Sequence, residues 1–232
     1  MNTALQLSKT TIATFSNFAG ISNSMIIPEG NRVRVINEAK TCIAYADIEE
    51  SFPKEFAIYD IAQFLSALDL VTDGEIEFED SFLTIKNESN RASLRYNYSD
   101  AEFIKPAPPV MVFPYEGAVE FALTQVIIET IKNATDRLKL NTISFVSESG
   151  SEEIYAATIN EKDADSSNSF KILVGKSPTI IDNEFSFNLS PSLIKSLIKG
   201  DYDVTVSPKG ISEFKGMGIQ YYIALSGKST FN

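Results

Sequence analysis

Apolar residues recur at helical spacing in four places along the chain, with alternating or continuous apolar runs between them. Ile12, Phe15 and Phe18 mark a first helix over residues 8–18. Ser8 is placed to cap its start and Gly20 suits its exit. Ile61, Phe64, Leu65 and Leu68 form the stripe of a second helix over residues 59–70, with Asp60 near its positive end. Strand-like runs lie around them at 25–27, 32–36, 42–48, 75–78, 82–86 and 92–98. The last alternates cleanly. Ala92, Leu94, Tyr96 and Tyr98 share one face, and Arg91, Ser93, Arg95 and Asn97 share the other.

A Pro-rich stretch over residues 105–114 follows, near the middle of the chain. Proline lacks the amide hydrogen of a central strand, so this reads as an extended, stiff connector. The pattern then repeats. Thr124 caps a third helix with apolar positions Val126, Ile127, Ile131 and Leu138. Ser190-Pro191 opens a short fourth, with Leu193, Ile194 and Leu197 as its stripe and Gly200 at its end. Strands are expected at 142–146, 154–159, 170–174, 185–189, 202–206 and 219–225. Leu7-Ser8-Lys9 aligns with Leu123-Thr124-Gln125 at an offset of 116, which also matches Asn17 with Asn133. Phe56-Ala57-Ile58 aligns with Phe185-Ser186-Phe187 at 129, so the second half carries insertions, one of them the polar loop 161–169. The reading is a duplicated α+β unit: domains at 1–104 and 115–232 joined by a connector at 105–114.

The chain has 232 residues, 44% of them hydrophobic, with 16 Phe and 9 Tyr, enough for a substantial core. It has no His, which excludes His-ligated metals, His bases and His-dependent triads. Its one cysteine, Cys42, rules out an intrachain disulfide and a multi-Cys metal site, and reads as a core residue. Residues 1–6 lack the character of a signal peptide, and no apolar run approaches a spanning helix. Gly175-Lys176-Ser177 and Gly227-Lys228-Ser229 lack the earlier glycine of a phosphate loop. The acids at 163 and 165 begin a calcium-loop pattern that lacks its glycine and its final acid. No metal, cofactor or catalytic residue is expected.

Several segments resemble the sliding clamps of T-even-type tailed phages. They include Leu7-Ser8-Lys9-Thr10-Thr11, Asn17-Phe18-Ala19 and above all residues 56–65, followed by Leu68-Asp69-Leu70-Val71. Leu140-Asn141-Thr142-Ile143, Gly200-Asp201-Tyr202 and Tyr221-Tyr222-Ile223-Ala224-Leu225 continue the likeness, which spans the chain in one register. The resemblance implies a DNA-clamp fold: two similar domains, each with two helices packed on curved antiparallel sheet, three subunits closing into a ring, and helices lining the hole. It implies a DNA polymerase processivity factor without catalysis, working in the cytoplasm of an infected cell. Its partners would be double-stranded DNA held without regard to sequence, a DNA polymerase and a clamp-loader complex, with no membrane. A two-domain structural or assembly protein of a virion is the alternative.

The net charge of −11 runs against DNA binding unless the bases are placed selectively. The first helix carries Lys9 and no acid, and the last carries Lys195 and Lys199. The third carries Lys132, Arg137 and Lys139 against Glu129 and Asp136, while the second has Asp60 and Asp69 and no base. The six basic residues are expected to face DNA. Ser16, Asn133 and Asp136 stand where the family places bases. In a closed head-to-tail ring, edge strands are natural joins, so Leu94 and Tyr96 of one subunit should meet Phe170 and Ile172 of the next. The resemblance also implies an apolar pocket for partner peptides, which falls on Val110, Met111, Val112 and Phe113, with Tyr222 beside them.

Overall fold

The computed structural model describes residues 4–160, 168–181 and 183–232. The chain divides into two compact units, Met1–Val110 and Met111–Asn232. The division falls inside the Pro-rich stretch. Residues before it are fastened to the first unit through carbonyls that proline leaves free: Tyr45 donates to the Pro108 oxygen at 2.9 Å and Arg34 to that of Ala107 at 3.1 Å.

In the first unit α1 (Lys9–Ala19) is followed by strands β1 (Met25–Ile27), β2 (Gly30–Ile36), β3 (Cys42–Phe52) and β4 (Phe56–Ile58). Then come α2 (Ile61–Leu70) and the meander β5 (Glu75–Phe78), β6 (Phe82–Asn87) and β7 (Ala92–Asn97). All pairings are antiparallel: β1 with β4, β2 with β3, and β5-β6-β7 in order, with β7 at the edge. Ser8 caps α1 by accepting from the Thr11 amide at 3.2 Å, and Asp60 caps α2 by accepting from Gln63 at 2.8 Å. The core is largely phenylalanine. Phe52 lies 6.3 Å from Phe15, 5.4 Å from Phe56 and 6.0 Å from Phe78, measured between ring centres. Cys42 is buried, and burial pushes its thiol up to about 12, so it is an inert core residue.

The second unit runs β8 (Val119–Leu123), α3 (Gln125–Leu138), β9 (Thr142–Ser147), β10 (Ser151–Ile159), β11 (Phe170–Ile181), β12 (Phe185–Leu189) and α4 (Pro191–Lys195). It closes with β13 (Tyr202–Ser207), β14 (Ile211–Gly216), β15 (Ile219–Ala224) and β16 (Thr230–Phe231). One sheet has the order β11-β10-β9-β12-β16, and β15-β14-β13-β8 follow one another in a second. Thr124 caps α3 as Ser8 caps α1, accepting from Ile127 at 3.4 Å. The polar insertion expected at 161–169 and the calcium-like acids lie almost wholly outside the described residues.

Three expectations need correction. The buried face of α1 is Thr11, Thr14, Phe15 and Phe18, while Ile12 is partly exposed. Both threonines can be buried because their hydroxyls are satisfied, Thr11 on Glu50 and Thr14 on the Thr10 carbonyl. In α3 the inward stripe is Ile128, Ile131 and Thr135, which turns Val126 and the last-turn Leu138 outward. The fourth helix stops at Lys195 instead of running toward Gly200. Beyond it the backbone of Ile198 is claimed by two tyrosines: its N–H donates to the Tyr221 hydroxyl at 3.3 Å and its carbonyl accepts from Tyr202 at 2.6 Å.

Candidate nucleic-acid and partner interfaces

Three basic residues of the second unit, Lys132, Lys195 and Lys199, lie near one another where α3 packs on α4. Lys132 is half-buried on α3, and Lys195 closes the last turn of α4. Burial lowers the Lys132 pKa; Glu129 works against the shift, and Lys199 and Lys195 add to it. The three ammonium groups therefore share one neighbourhood. Lys195 is paired with Asp136, an exposed bridge joining the two helices. Lys199 lies on the tyrosine-fixed segment after α4, not on the helix as expected, and is exposed. Lys139 is likewise not helical. It is the C-cap of α3 in the left-handed conformation, with φ 54°, and Arg137 occupies the last turn. Both are exposed, and both place positive charge at the negative end of the helix dipole.

The first unit offers less. Lys9 is exposed in the first turn of α1, and α2 has no base. Asp60 serves as the α2 cap, and Asp69 is exposed on the same helix. The N-terminus of α1 also receives a carboxylate from β3: Glu50 accepts from the Ser8 amide and the Thr11 hydroxyl. Burial opposes its charge, but these bonds outweigh burial and hold Glu50 below the usual carboxylate range. The second unit has a counterpart, since Asp201 accepts from the Gln125 amide at 2.7 Å.

The five residues expected to form a partner pocket do not share one exposure. Val110 and Val112 are exposed, at 68% and 84%, and Met111 is half-buried. Phe113 and Tyr222 are buried, with ring centres 6.1 Å apart, and Phe113 lies 4.8 Å from Tyr115. Sequence reasoning missed Glu213, which the structure buries beside them. It accepts from Tyr115 at 3.2 Å and Gln220 at 2.7 Å and is paired with Lys215 at 2.8 Å. Burial opposes its charge, but bonds from Lys215, Tyr222 and Gln220 hold its carboxyl low. The signal was an acid inside the apolar run Ile211-Ser212-Glu213-Phe214, which also hid β14.

The predicted joining segments both sit at sheet edges. Leu94 and Tyr96 lie half-buried on β7, with Tyr96 edge-on to Phe64 of α2 at 5.1 Å. Phe170 and Ile172 lie on the first part of β11, which is paired on one side with β10. The later part of β11 runs beside β8, where Lys176 and Pro178 border the same groove as Glu120 and Ala122.

Two helices over antiparallel strands, repeated once, is an arrangement that other proteins share. Residues 7–104 match the family described as DNA polymerase processivity factor, and residues 120–227 match the family described as gp45 sliding clamp, C terminal. The sliding clamp of Vibrio phage KVP40 is 38% identical over 224 residues, covering 95% of this chain and 98% of that one. The chain belongs to the phage sliding clamps. The sliding clamp of Enterobacteria phage T4 is 24% identical over 230 residues, covering 97% and 99% of the two chains. Among solved structures, A. fulgidus PCNA bound to the C-terminal region of FEN-1 has a TM-score of 0.70 at 13% identity, covering 98% of this chain and 99% of that one. The Helicobacter pylori beta clamp bound to a DNA ligase peptide has a TM-score of 0.69 at 12% identity, covering 96% and 65%. These two likenesses carry the fold: this is an α+β clamp. A virion-assembly role is not favoured, because the matches along both halves are to clamps. The phage clamp acts in DNA replication, as a polymerase processivity factor.

Proposed function

We propose that three copies of this chain close into a ring around duplex DNA, and that the ring holds the phage DNA polymerase on its template without catalysis of its own. A loader complex opens or places the ring, which works in the cytoplasm of the infected cell. The observation that carries this reading is the duplication: two α+β units per chain, with β7 of the first and β11 of the second each at the end of a sheet. β7 of one copy meets the first part of β11 of the next, with Leu94 and Tyr96 facing Phe170 and Ile172. Lys9, Lys132, Arg137, Lys139, Lys195 and Lys199 face the DNA backbone. They make contacts that carry no sequence information, as sliding requires. The acidic remainder of the surface repels DNA over about 8 Å at physiological ionic strength. Partner peptides bind over Val110, Met111 and Val112, with Phe113 and Tyr222 as the fixed floor; a groove with Met at its edge accepts several partners in turn.

The test is synthesis by the cognate polymerase on primed circular DNA, with loader and ATP. The chain should lengthen products without changing the rate of single-nucleotide addition, and its native mass should be that of a trimer. Products no longer than those of polymerase alone would overturn the reading.

A further inference from the structure

The basic cluster between α3 and α4 contains two acids, and their placement is informative. Lys195 of α4 reaches Asp136 of α3, and Lys195 and Lys199 lie near enough to Lys132 for their charges to act on it. Asp136 is paired with Lys195, and Glu129, held by Gln125 at 2.9 Å, acts on Lys132 from the same helix. Three bases and two acids leave one net positive charge. Both carboxylates are exposed and stand off the buried face of α3, which is Ile128, Ile131 and Thr135. The first unit has no such cluster: Lys9 stands alone on α1, and α2 carries only acids.

We propose that this seam is the phosphate seat of each subunit on duplex DNA, and that Asp136 and Glu129 temper it so that the grip stays weak enough for sliding. The proposal rests on the reading of the chain as a DNA-encircling clamp and adds where the grip lies and what limits it. The DNA backbone is a regular array of single charges, and each phosphate neutralised adds about 0.9 to the salt dependence of binding. Three bases without acids would bind more phosphates per subunit and raise the cost of each step along the duplex. Pairing Lys195 with Asp136 lets one lysine exchange between an internal partner and a passing phosphate. Ring closure supplies the retention that such weak contacts lack.

The experiment compares full-length assembled rings in binding a short blunt duplex across a salt series, by fluorescence anisotropy. Asp136→Asn and Glu129→Gln should each tighten binding at low salt severalfold and steepen the salt slope by up to about 0.9 for each added phosphate contact. Lys132→Gln and Lys199→Gln should do the reverse. Lys40→Asn, the same loss of charge in the exposed turn between β2 and β3, should leave the slope unchanged. If Asp136→Asn disturbs the α3–α4 packing, seen as loss of trimer mass or of circular dichroism, Glu129→Gln carries the test alone. Folded rings in which removing the acids leaves the slope unchanged or lowers it would overturn the proposal, as would an equal effect at Lys40. A wild-type ring that neither binds duplex nor supports the polymerase would instead overturn the clamp reading beneath it.

Discussion

Around α1 and α2 the first unit is closed by rings against rings, with Phe52 at the centre of Phe15, Phe56 and Phe78. Around α4 the second unit is closed by bonds. Tyr202 and Tyr221 hold the Ile198 backbone, and Asn188 accepts from Ser144 at 2.5 Å and donates from its amide to Ser229 at 2.9 Å. Both units keep the same capped first helix. Aromatic stacking fills volume and tolerates small shifts, whereas a satisfied polar network fixes one geometry. The fixed segment after α4 is the one that carries Lys199, a residue proposed to face DNA.

The largest effect should come from emptying the first unit's centre. Phe52→Ala should cost about 3–5 kcal/mol, because its three ring partners cannot all collapse into the gap. Tyr221→Phe removes one hydroxyl from the second unit's network and should cost about 1 kcal/mol. Urea unfolding of both variants measures the contrast. Equal losses would mean that the second unit depends on its network as heavily as the first does on packing.

The plan of the two units was legible in the sequence because it rests on local signals. Ser8 and Thr124 were visible caps and both cap, while Asp60, read only as an acid near the positive end of its helix, caps as well. Apolar spacing located all four helices, but it misplaced Ile12, Val126 and Leu138, because it cannot see that Thr11, Thr14 and Thr135 go inward with their hydroxyls satisfied. The end of the fourth helix was illegible for a similar reason: it is set by two tyrosines from β13 and β15, one of them, Tyr221, distant in sequence. Strands β4, β8, β14 and β16 were missed. In β14 the buried Ser212 and Glu213 break the apolar pattern, although Met217-Gly218, both at positive φ, form the hairpin turn that follows it. Among candidate site residues the basic ones are read from the sequence by type alone, and the nearness of Lys132, Lys195 and Lys199 at one seam follows only from the fold.

Each unit holds one glutamate charged through its hydrogen bonds, which acid should expose. Glu50 and Glu213 are both held below the ordinary glutamate range. A lowered folded pKa contributes stability that is complete above about pH 4.3, where unfolded glutamate is charged, and that disappears as pH falls through the folded value. Glu50→Gln should weaken the first unit, and Glu213→Gln the second, each by about 1.5–3 kcal/mol at neutral pH. Each variant should then lose less than wild type on acidification. The check is a set of urea midpoints between neutral pH and about pH 4. Parallel acid losses in wild type and variants would remove the carboxylates from the account.

The smallest effect concerns the caps that the units share. Ser8→Ala and Thr124→Ala each remove a side-chain acceptor from a helix start, a change worth about 1 kcal/mol. The surroundings predict an order. The Ser8 bond is shorter, at 3.2 Å against 3.4 Å for Thr124, and its hydroxyl also contacts that of Thr11 at 3.2 Å. Losing Ser8 therefore disturbs the group that holds Glu50, and through it the tie between α1 and β3. Losing Thr124 leaves the Asp201 bond to the Gln125 amide in place. Ser8→Ala should be the more costly, and combining it with Glu50→Gln should cost less than the sum of the two. Thr124→Ala combined with Asp201→Asn should be additive, because those groups serve different amides. Additive losses at Ser8 and Glu50 would show that the two starts, alike in sequence, are also alike in wiring.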